Sequence, residues 1–252
     1  DEEKAFDMHC AFKIFRFKRF GNFLFTWLHR VKTIYNFCIE NQVANVFSSG
    51  RFPIWTIPLL RVTGIPNIIA ILHGSEVGKG FWSKWLYFCL SRADHIITVS
   101  KFTRSLLPGR VKSKSTVIHN GVDPDQWYPV KKKTILNNYP MLLTVGSISL
   151  RKGQYNVVSV LPSIKKLFPD VHYHCVGAAG RKDILLDRVR ELGMEKMVTI
   201  HGIVSHQSLE NIYNKAHVNM MLSNYSPDGD VEGYGISVLE GNVFGIPVIG
   251  TK

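Results

Sequence analysis

The sequence Glu232-Gly233-Tyr234-Gly235-Ile236-Ser237-Val238-Leu239-Glu240 predicts a glycine-flanked loop that opens a packed helix. Helix N-termini present unpaired N–H groups and the positive end of the helix dipole, so they bind anions such as phosphate. Glu232 precedes the helix, and Glu240 lies about two turns into it. A carboxylate that accepts two vicinal hydroxyls suits a sugar or a ribose. The stretch therefore predicts a nucleotide-sugar site.

The same stretch has two other interpretations. Gly233 and Gly235 could only shape a turn, with Glu240 a solvated helix residue, because short glycine motifs also occur by chance. The two glutamates could instead be the acid and the nucleophile or base of a glycosidase. A glycine-rich helix entry does not require that second arrangement.

The segments outside this stretch alternate between strand-like and helix-like patterns. We expect strands at 43–48, 67–72, 94–100, 141–145, 171–176, 198–201, 218–222 and 246–250, and within 116–123 a strand that runs into an Asn-Gly turn. We expect helices at 22–41, 54–62, 81–90, 153–168, 184–192 and 208–215, and Ser100 as the cap of a further helix. Strands that alternate with helices at this spacing predict parallel βαβ layers in both halves, an α/β fold.

Length and composition favour two domains. The chain has 252 residues, 45% of them hydrophobic, which is enough for two cores. Residues 124–138 contain Pro129 and the run Lys131-Lys132-Lys133, and they form the best candidate linker. We therefore expect domains at 1–127 and 128–252. The chain begins without Met and stops directly after a strand-like segment, so we expect a fragment that is truncated at both ends.

Charge and cysteine content narrow the class of partner and the compartment. The formal net charge of +12 attracts polyanions such as nucleic acid, anionic lipid or phosphorylated substrates. No RNA- or DNA-binding motif is recognisable, which disfavours nucleic acid. No transmembrane segment or signal peptide is evident, and the cysteines lack metal-ligand spacing. These features predict reduced thiols and a cytoplasmic protein.

The N-terminal segment has two interpretations. Residues 11–20 alternate aromatic and basic side chains with a period near two, which is typical of a strand. A basic, aromatic segment that lies on a membrane surface is the alternative. The helix expected at 22–41 carries an apolar stripe that favours core packing over membrane docking.

A histidine marks the end of one predicted strand. Residues 67–72 form a continuous apolar run, and His73 follows it directly. Because α/β proteins place ligands at the carboxyl ends of parallel strands, His73 is a candidate site residue. A structural, hydrogen-bonded histidine is the equal alternative.

Several motifs occur in one order along the chain: His73-Gly74, Ile118-His119-Asn120-Gly121-Val122-Asp123, Gly146 to Lys152-Gly153, Gly177, and the segment Glu232 to Glu240 followed by Gly245-Ile246-Pro247-Val248-Ile249. Over residues 43–252 this ordered set resembles the retaining glycosyltransferases of the GT-B fold, glycosyltransferase family 4. The resemblance implies two Rossmann-like βαβ domains that face each other across a cleft, with the donor held mainly by the second. It also implies a first strand before residue 1 and a closing helix after Lys252.

The resemblance assigns roles to individual residues. His73 would lie beside the reacting carbon near the acceptor, and Glu232 would bind hydroxyls of the donor sugar; these two are the candidate catalytic residues. The candidate donor-binding residues are Gly146, Ser147, Arg151, Lys152, Gly233, Tyr234, Gly235 and Glu240. Among these, Lys152 would neutralise the diphosphate and Glu240 would hold the ribose. Ser147 stands where the family usually has Arg, so Arg151 is the candidate second cation.

The implied reaction moves a sugar from a UDP- or GDP-sugar to a glycan, lipid-linked or small-molecule acceptor, with retention, without a metal and without a separate cofactor. Asp228-Gly229-Asp230 looks like a metal-binding DxD, but a solvated loop is favoured. A nucleotide-sugar 2-epimerase, which shares the layout, and a basic, non-catalytic protein that docks on a membrane as a partner of an enzyme are the alternatives. A peripheral location at the inner face of the membrane is compatible with the transferase and with the membrane-docking partner protein.

Overall fold

The first half of the chain forms a parallel four-stranded sheet in a computed structural model, which describes residues 10–17, 21–77, 81–129, 140–224 and 231–251. The strands lie in chain order and are β1 (Asn45–Ser49), β2 (Asn67–Leu72), β3 (His95–Thr98) and β4 (Ser115–Val117). The helices are α1 (Phe23–Glu40), α2 (Arg51–Val62), α3 (Phe81–Ser91), α4 (Lys101–Ser105) and α5 (Gly109–Lys112). Ser100 caps α4, as predicted, by accepting a hydrogen bond from the Thr103 N–H.

The second half forms a parallel sheet with the order β7-β6-β5-β8-β9. Its strands are β5 (Met141–Val145), β6 (His172–Val176), β7 (Val198–Gly202), β8 (Val218–Met221) and β9 (Val248–Gly250), and its helices are α6 (Gln154–Leu167), α7 (Lys182–Glu191), α8 (His206–Lys215) and α9 (Ile236–Val243). Short 3₁₀ turns occur at Pro124–Gln126, Leu150–Lys152 and Glu195–Met197. The chain fills one side of β5 and then crosses to the other. This reversal creates a crevice at the carboxyl ends of β5 and β8, where open α/β sheets bind ligands.

Each sheet is covered by apolar helix faces. In the first half, Ile68, Ala70 and Leu72 on β2 are fully buried against α2 and α3. In the second half, alternate residues point to opposite faces: Tyr173 packs with the α6 and α7 side, and Val176 packs with the α8 and α9 side. Burial on both faces explains why β2 is a continuous apolar run.

The structure confirms the predicted parallel α/β layers and corrects the N-terminal segment. Residues 11–17 contain no strand, and residues 18–20 lie outside the described part of the chain. Period-two alternation makes a strand only where a neighbouring strand offers hydrogen bonds; here Phe15 instead packs edge-on against Phe37 of α1, with ring centroids 5.0 Å apart. Residues 131–133 of the predicted linker also lie outside the described residues, and the expected domain boundary stays a prediction.

Candidate active site

A cavity of about 300 Å³ lies between the two halves at the carboxyl ends of their strands. Six side chains or loop positions predicted from the sequence line it: His73, Lys152, Glu232, Tyr234, Gly235 and Glu240. His73 comes from the first half, directly after β2, and the others come from the second half. Residues that are up to 167 positions apart in sequence therefore meet at one place. Asn120, which the sequence analysis did not single out as a site residue, also lines this cavity.

The glycine-flanked loop does open a helix. Gly235 takes a left-handed backbone conformation with φ +71°, and α9 begins at the next residue. The N–H of Gly235 donates a 3.2 Å hydrogen bond to Oε1 of Glu232. The Glu232 carboxylate therefore folds back over the N-terminus of this helix, and the contact of the Gly235 amide with a donor stays a prediction.

Glu232 is also the centre of an ion cluster. Its Oε2 atom lies 2.6 Å from Nζ of Lys152 and 2.6 Å from Nη1 of Arg151. The Lys152 side chain is only 13% exposed, so its charge is poorly screened by water. Burial raises the pKa of the Glu232 carboxyl, but the hydrogen bonds and charges of Lys152 and Arg151 outweigh burial and hold that pKa below its ordinary value of 4.5. The site thus holds two cations and one carboxylate in direct contact.

The loop after β5 positions these cations. Gly146 allows the Lys152 side chain to cross its backbone, because a Cβ there would lie 3.1 Å from Cε of Lys152. Gln154, which is 1% exposed, ties the loop together: its side chain accepts a hydrogen bond from the Ser149 N–H and donates one to the Ser147 carbonyl. Gln154 was missed because a polar helix residue usually faces solvent.

The segment after β2 is held by a buried carboxylate. Glu76 is 7% exposed, and its Oε2 accepts hydrogen bonds of 3.0 Å from the N–H groups of both His73 and Gly74. The imidazole of His73 is exposed to the cavity, with Nε2 2.9 Å from Oγ of Ser49. The sequence analysis did not predict a role for Glu76.

The backbones of the two halves touch beside the cavity. A Cβ on Gly233 would lie 1.6 Å from the carbonyl oxygen of His73, and a Cβ on Gly74 would lie 2.7 Å from Cα of Gly233. Only glycine fits at this crossing. Further contacts join the halves nearby: the Thr103 hydroxyl reaches the Gly233 carbonyl at 3.5 Å, and the rings of His119 and Tyr234 lie 5.6 Å apart.

Glu240 also lines this cavity. Its Oε2 accepts a 2.7 Å hydrogen bond from the hydroxyl of Tyr213 on α8. Glu240 is half-buried, so it is not the solvated helix residue of the alternative interpretation. Tyr213 was not predicted as a site residue, because a tyrosine on an amphipathic helix is ordinarily part of the core.

Ser147 is a predicted site residue that this arrangement does not include. Ser147 is exposed and lines neither this cavity nor a larger one of about 550 Å³ that shares Glu232, Tyr234 and Gly235 with it. Asp228 and Asp230 of the DxD sequence lie outside the described residues. Within the described ranges, no group of three or more His, Cys, Asp or Glu side chains is arranged to hold a metal ion.

Family models match both halves of the chain. The model described as "Glycosyl transferases group 1" matches residues 126–252, half of the chain, and the model described as "Glycosyltransferase Family 4" matches residues 4–126. A similar curated protein is the "GDP-mannose-dependent alpha-(1-6)-phosphatidylinositol monomannoside mannosyltransferase" of Mycolicibacterium smegmatis, 26% identical over 83% of this chain and 59% of that protein. Another is a phosphatidylinositol N-acetylglucosaminyltransferase subunit from Arabidopsis thaliana, 26% identical over 72% of this chain and 40% of that protein. The chain thus spans about three fifths or less of the length of these relatives.

Solved structures show the same fold. A glycosyltransferase from Rickettsia africae superposes with a TM-score of 0.76 at 21% identity, over 99% of this chain and 68% of that one. The architecture is therefore that of the GT-B glycosyltransferases, as the sequence predicts. Within the part of the chain that the structure describes, no helix combines the length and apolarity needed to span a bilayer.

Proposed function

Because the chain belongs to the glycosyl transferases group 1 family, we propose that it moves a sugar from a nucleotide-diphosphate donor to an acceptor hydroxyl. The observation that carries this proposal is the shared cavity, where a histidine of one half meets two carboxylates and a lysine of the other. A sugar, a diphosphate and a ribose need hydroxyl acceptors at both ends and cations between them. The required hydroxyl acceptors are supplied by Glu232 and Glu240, and a cation is supplied by Lys152.

Each residue takes one part of the donor in this proposal. Lys152 and Arg151 neutralise the diphosphate, whose negative charge grows as its bond to the sugar breaks. Glu232 accepts hydrogen bonds from hydroxyls of the sugar, and Glu240 accepts hydrogen bonds from hydroxyls of the ribose. His73 lies at the acceptor side of the reacting carbon.

The reaction is proposed to retain the anomeric configuration. The bond between the anomeric carbon and the phosphate oxygen breaks, the acceptor oxygen forms its bond on the same face, and the released phosphate oxygen takes the proton of the acceptor hydroxyl. No metal and no separate cofactor enter this scheme. Transfer that persists in EDTA and a product with the anomeric configuration of the donor, determined by NMR, would support it; loss in EDTA or inversion would contradict it.

The relatives suggest which ligands to test first. One is named for its dependence on GDP-mannose, and both are named for phosphatidylinositol-type lipids. We therefore propose a lipid-linked acceptor, with GDP-mannose as the first donor candidate and a UDP-sugar as the second.

Titration calorimetry tests the donor site. We expect GDP-mannose or UDP-N-acetylglucosamine to bind, and Glu240→Gln to weaken binding by about ten- to a hundredfold, because a hydrogen bond to a charged group contributes about 1.5–3 kcal/mol. Glu195→Gln, an exposed glutamate of the same half, is the matched control and should bind as wild type. Absence of binding to a panel of nucleotide sugars, or equal affinity of Glu240→Gln and wild type, would refute the proposal. Sugar conversion without any acceptor would instead indicate the 2-epimerase.

We also propose that the N-terminal surface binds anionic membrane. Phe12, Phe15, Phe25 and Leu28 are exposed there, and Phe25 and Leu28 line a surface groove together with Lys32. Helix α1 carries His29, Arg30 and Lys32 but a single carboxylate, Glu40, at its end. Apolar side chains flanked by cations fit the interface of an anionic bilayer.

Vesicle flotation tests the surface. We expect the chain to float with phosphatidylcholine vesicles that contain phosphatidylglycerol, to float less without it, and to lose most binding in the double variant Phe25→Ser and Leu28→Ser. Leu167→Ser, at an exposed apolar residue of the second half, is the control. Binding that ignores lipid charge, or a double variant that floats as wild type, would contradict the proposal.

A further inference from the structure

Tyr213 is a buried tyrosine that contacts Glu240, a candidate donor-binding residue. Its side chain is fully buried, and its hydroxyl donates the 2.7 Å hydrogen bond to Oε2 of Glu240. Within the described part of the chain, the other carboxylate oxygen of Glu240 accepts no hydrogen bond, and Glu240 lines the cavity. One oxygen is therefore held by the protein, and the other is available to a ligand.

An aromatic cluster fixes the position of the Tyr213 ring. The ring stacks on Phe244, with centroids 5.1 Å apart and planes at 11°, and meets the edge of Trp127 at 5.8 Å and 89°. Phe244 is 3% exposed and follows α9, the helix that carries Glu240. Because the neighbouring rings fix the Tyr213 ring, its hydroxyl is held in the direction of the Glu240 carboxylate.

The proton of this hydroxyl stays in place at physiological pH. Burial, together with the negative charge of Glu240, raises the pKa of Tyr213 far above its ordinary value of 10. Tyr213 is therefore always a donor and never a phenolate under working conditions. A permanent donor on one oxygen restricts rotation of the carboxylate about its last torsion, which is otherwise soft.

We propose that Tyr213 is a positioning residue that holds Glu240 in the orientation that grips ribose hydroxyls, and thereby sets the preference of the site for ribonucleotides over dideoxyribonucleotides. This inference rests on the proposed function, because it takes Glu240 to bind the ribose. A site built to hydrogen-bond hydroxyls discriminates against a ligand that lacks them, since its own polar groups then lose their partners. That discrimination depends on carboxylate orientation, which Tyr213 controls.

The test compares Tyr213→Phe with wild type for GDP, UDP and their 2′,3′-dideoxy analogues. The phenylalanine keeps the ring and its stacking but removes the hydroxyl. We expect the affinity for GDP or UDP to fall about three- to tenfold, as for the loss of one buried hydrogen bond, while the affinity for the dideoxy analogue stays the same. Tyr128→Phe, the same chemical change on an exposed ring, should leave every affinity unchanged.

The outcomes separate the inference from the proposed function. Equal weakening for the ribonucleotide, the dideoxy analogue and inorganic pyrophosphate would show that Tyr213 only supports packing, and it would overturn the inference. An unchanged ribose preference in Tyr213→Phe, when Glu240→Gln abolishes it, would overturn the inference alone. A wild-type protein that does not prefer the ribonucleotide would overturn the role of Glu240, and that of Tyr213 with it.

Discussion

A single carboxylate, Glu232, competes with the proposed ligand for the same two cations. Its Oε2 lies within 2.6 Å of both Lys152 and Arg151, where the diphosphate of the donor would be neutralised. Under the proposed function, donor binding would require an exchange in which the cations turn to the phosphates and Glu232 turns to the sugar hydroxyls. Its lowered pKa means that the carboxylate stays ionised at neutral pH and competes as a full charge.

Removing the charge of Glu232 should therefore have opposite effects on nucleotide affinity and on sugar transfer. We expect Glu232→Gln to bind GDP or UDP more tightly than wild type, by about three- to tenfold, because the competing anion is gone; a partly exposed ion pair contributes about 1 kcal/mol. We expect the same variant to lose most sugar transfer, because an amide grips hydroxyls less well than a carboxylate. Calorimetry with the free nucleotide and an activity assay measure the two effects.

Glu191→Gln is the matched control for this experiment, since it removes an exposed glutamate that pairs with Arg188. It should change neither affinity nor transfer. If Glu232→Gln bound the nucleotide more weakly than wild type, the exchange would be wrong.

At the residue scale, the sequence singles out candidate binding residues that line the cavity, but not the neighbours that position them. Glu232 and Glu240 belong to one motif with recognisable spacing, and Lys152 belongs to another. Tyr213 and Glu76 do not, because an interaction between residues 27 positions apart, or a carboxylate that turns back to cap its own loop, depends on tertiary packing. Such partners become visible only when the sheets are assembled.

At the scale of single elements, the Gly233 loop and the segment after β2 are in direct backbone contact. Gly233→Ala would place a Cβ 1.6 Å from the His73 carbonyl, which no rotamer can relieve. We expect the two segments to separate, with a loss of about 1–3 kcal/mol of stability, as for an overpacked site, and with weaker donor binding. Thermal unfolding and calorimetry measure these two losses.

Gly109→Ala is the matched control, because a Cβ there meets no atom within 4 Å. It should unfold and bind as wild type. Wild-type behaviour of Gly233→Ala would mean that the crossing between the halves is dispensable.

Strands β6 and β7 carry a histidine cluster that should make stability depend on pH. Nδ1 of His174 lies 2.8 Å from Nε2 of His201, and the ring of His172 lies 4.7 Å from that of His174. Burial, with the charges of His172, His201 and Lys215, lowers the pKa of His174 from 6.5 to about 4. Because the folded pKa lies below the unfolded one, the unfolded chain binds more protons between pH 4 and 6.5, and stability falls as pH drops through that window.

We expect His174→Gln to lose less stability than wild type between pH 7 and pH 5, by on the order of 1 kcal/mol for a partly exposed cluster. Urea unfolding at the two pH values measures the difference. His95→Gln, on β3 of the other sheet, is the control and should follow wild type. Equal pH dependence in His174→Gln and wild type would exclude this cluster as the cause.

Element type follows from the sequence wherever an apolar run has a partner. The β2 run is predicted to the residue, because continuous apolar character signals a strand covered on both faces. The aromatic and basic alternation before α1 gives the wrong result, since no neighbouring strand in the described part of the chain pairs with it. Periodicity indicates which side of an element a residue faces. A strand also needs a neighbouring strand to which its backbone can hydrogen-bond.

At the scale of the whole molecule, alternating elements predict two parallel sheets, but they do not predict how the sheets meet. The meeting point depends on Gly74 and Gly233, whose missing side chains let two backbones touch. Trp127, placed by the expected boundary at the end of the first domain, packs its ring among Tyr213, Phe244 and His206 of the second half.

This packing implies that Trp127, in the described part of the connecting segment, belongs energetically to the second half. Trp127 is 9% exposed and is part of the core that covers β5 on the α8 and α9 side. We expect Trp127→Ala to cost about 3 kcal/mol, the lower end for a large aromatic residue removed from a core. Hydrogen exchange should accelerate in α8 and α9, and stay unchanged in β2 and α2. Tyr128→Ala, the exposed neighbour, should change neither region, whereas faster exchange in β2 after Trp127→Ala would show that the segment instead stabilises the first half.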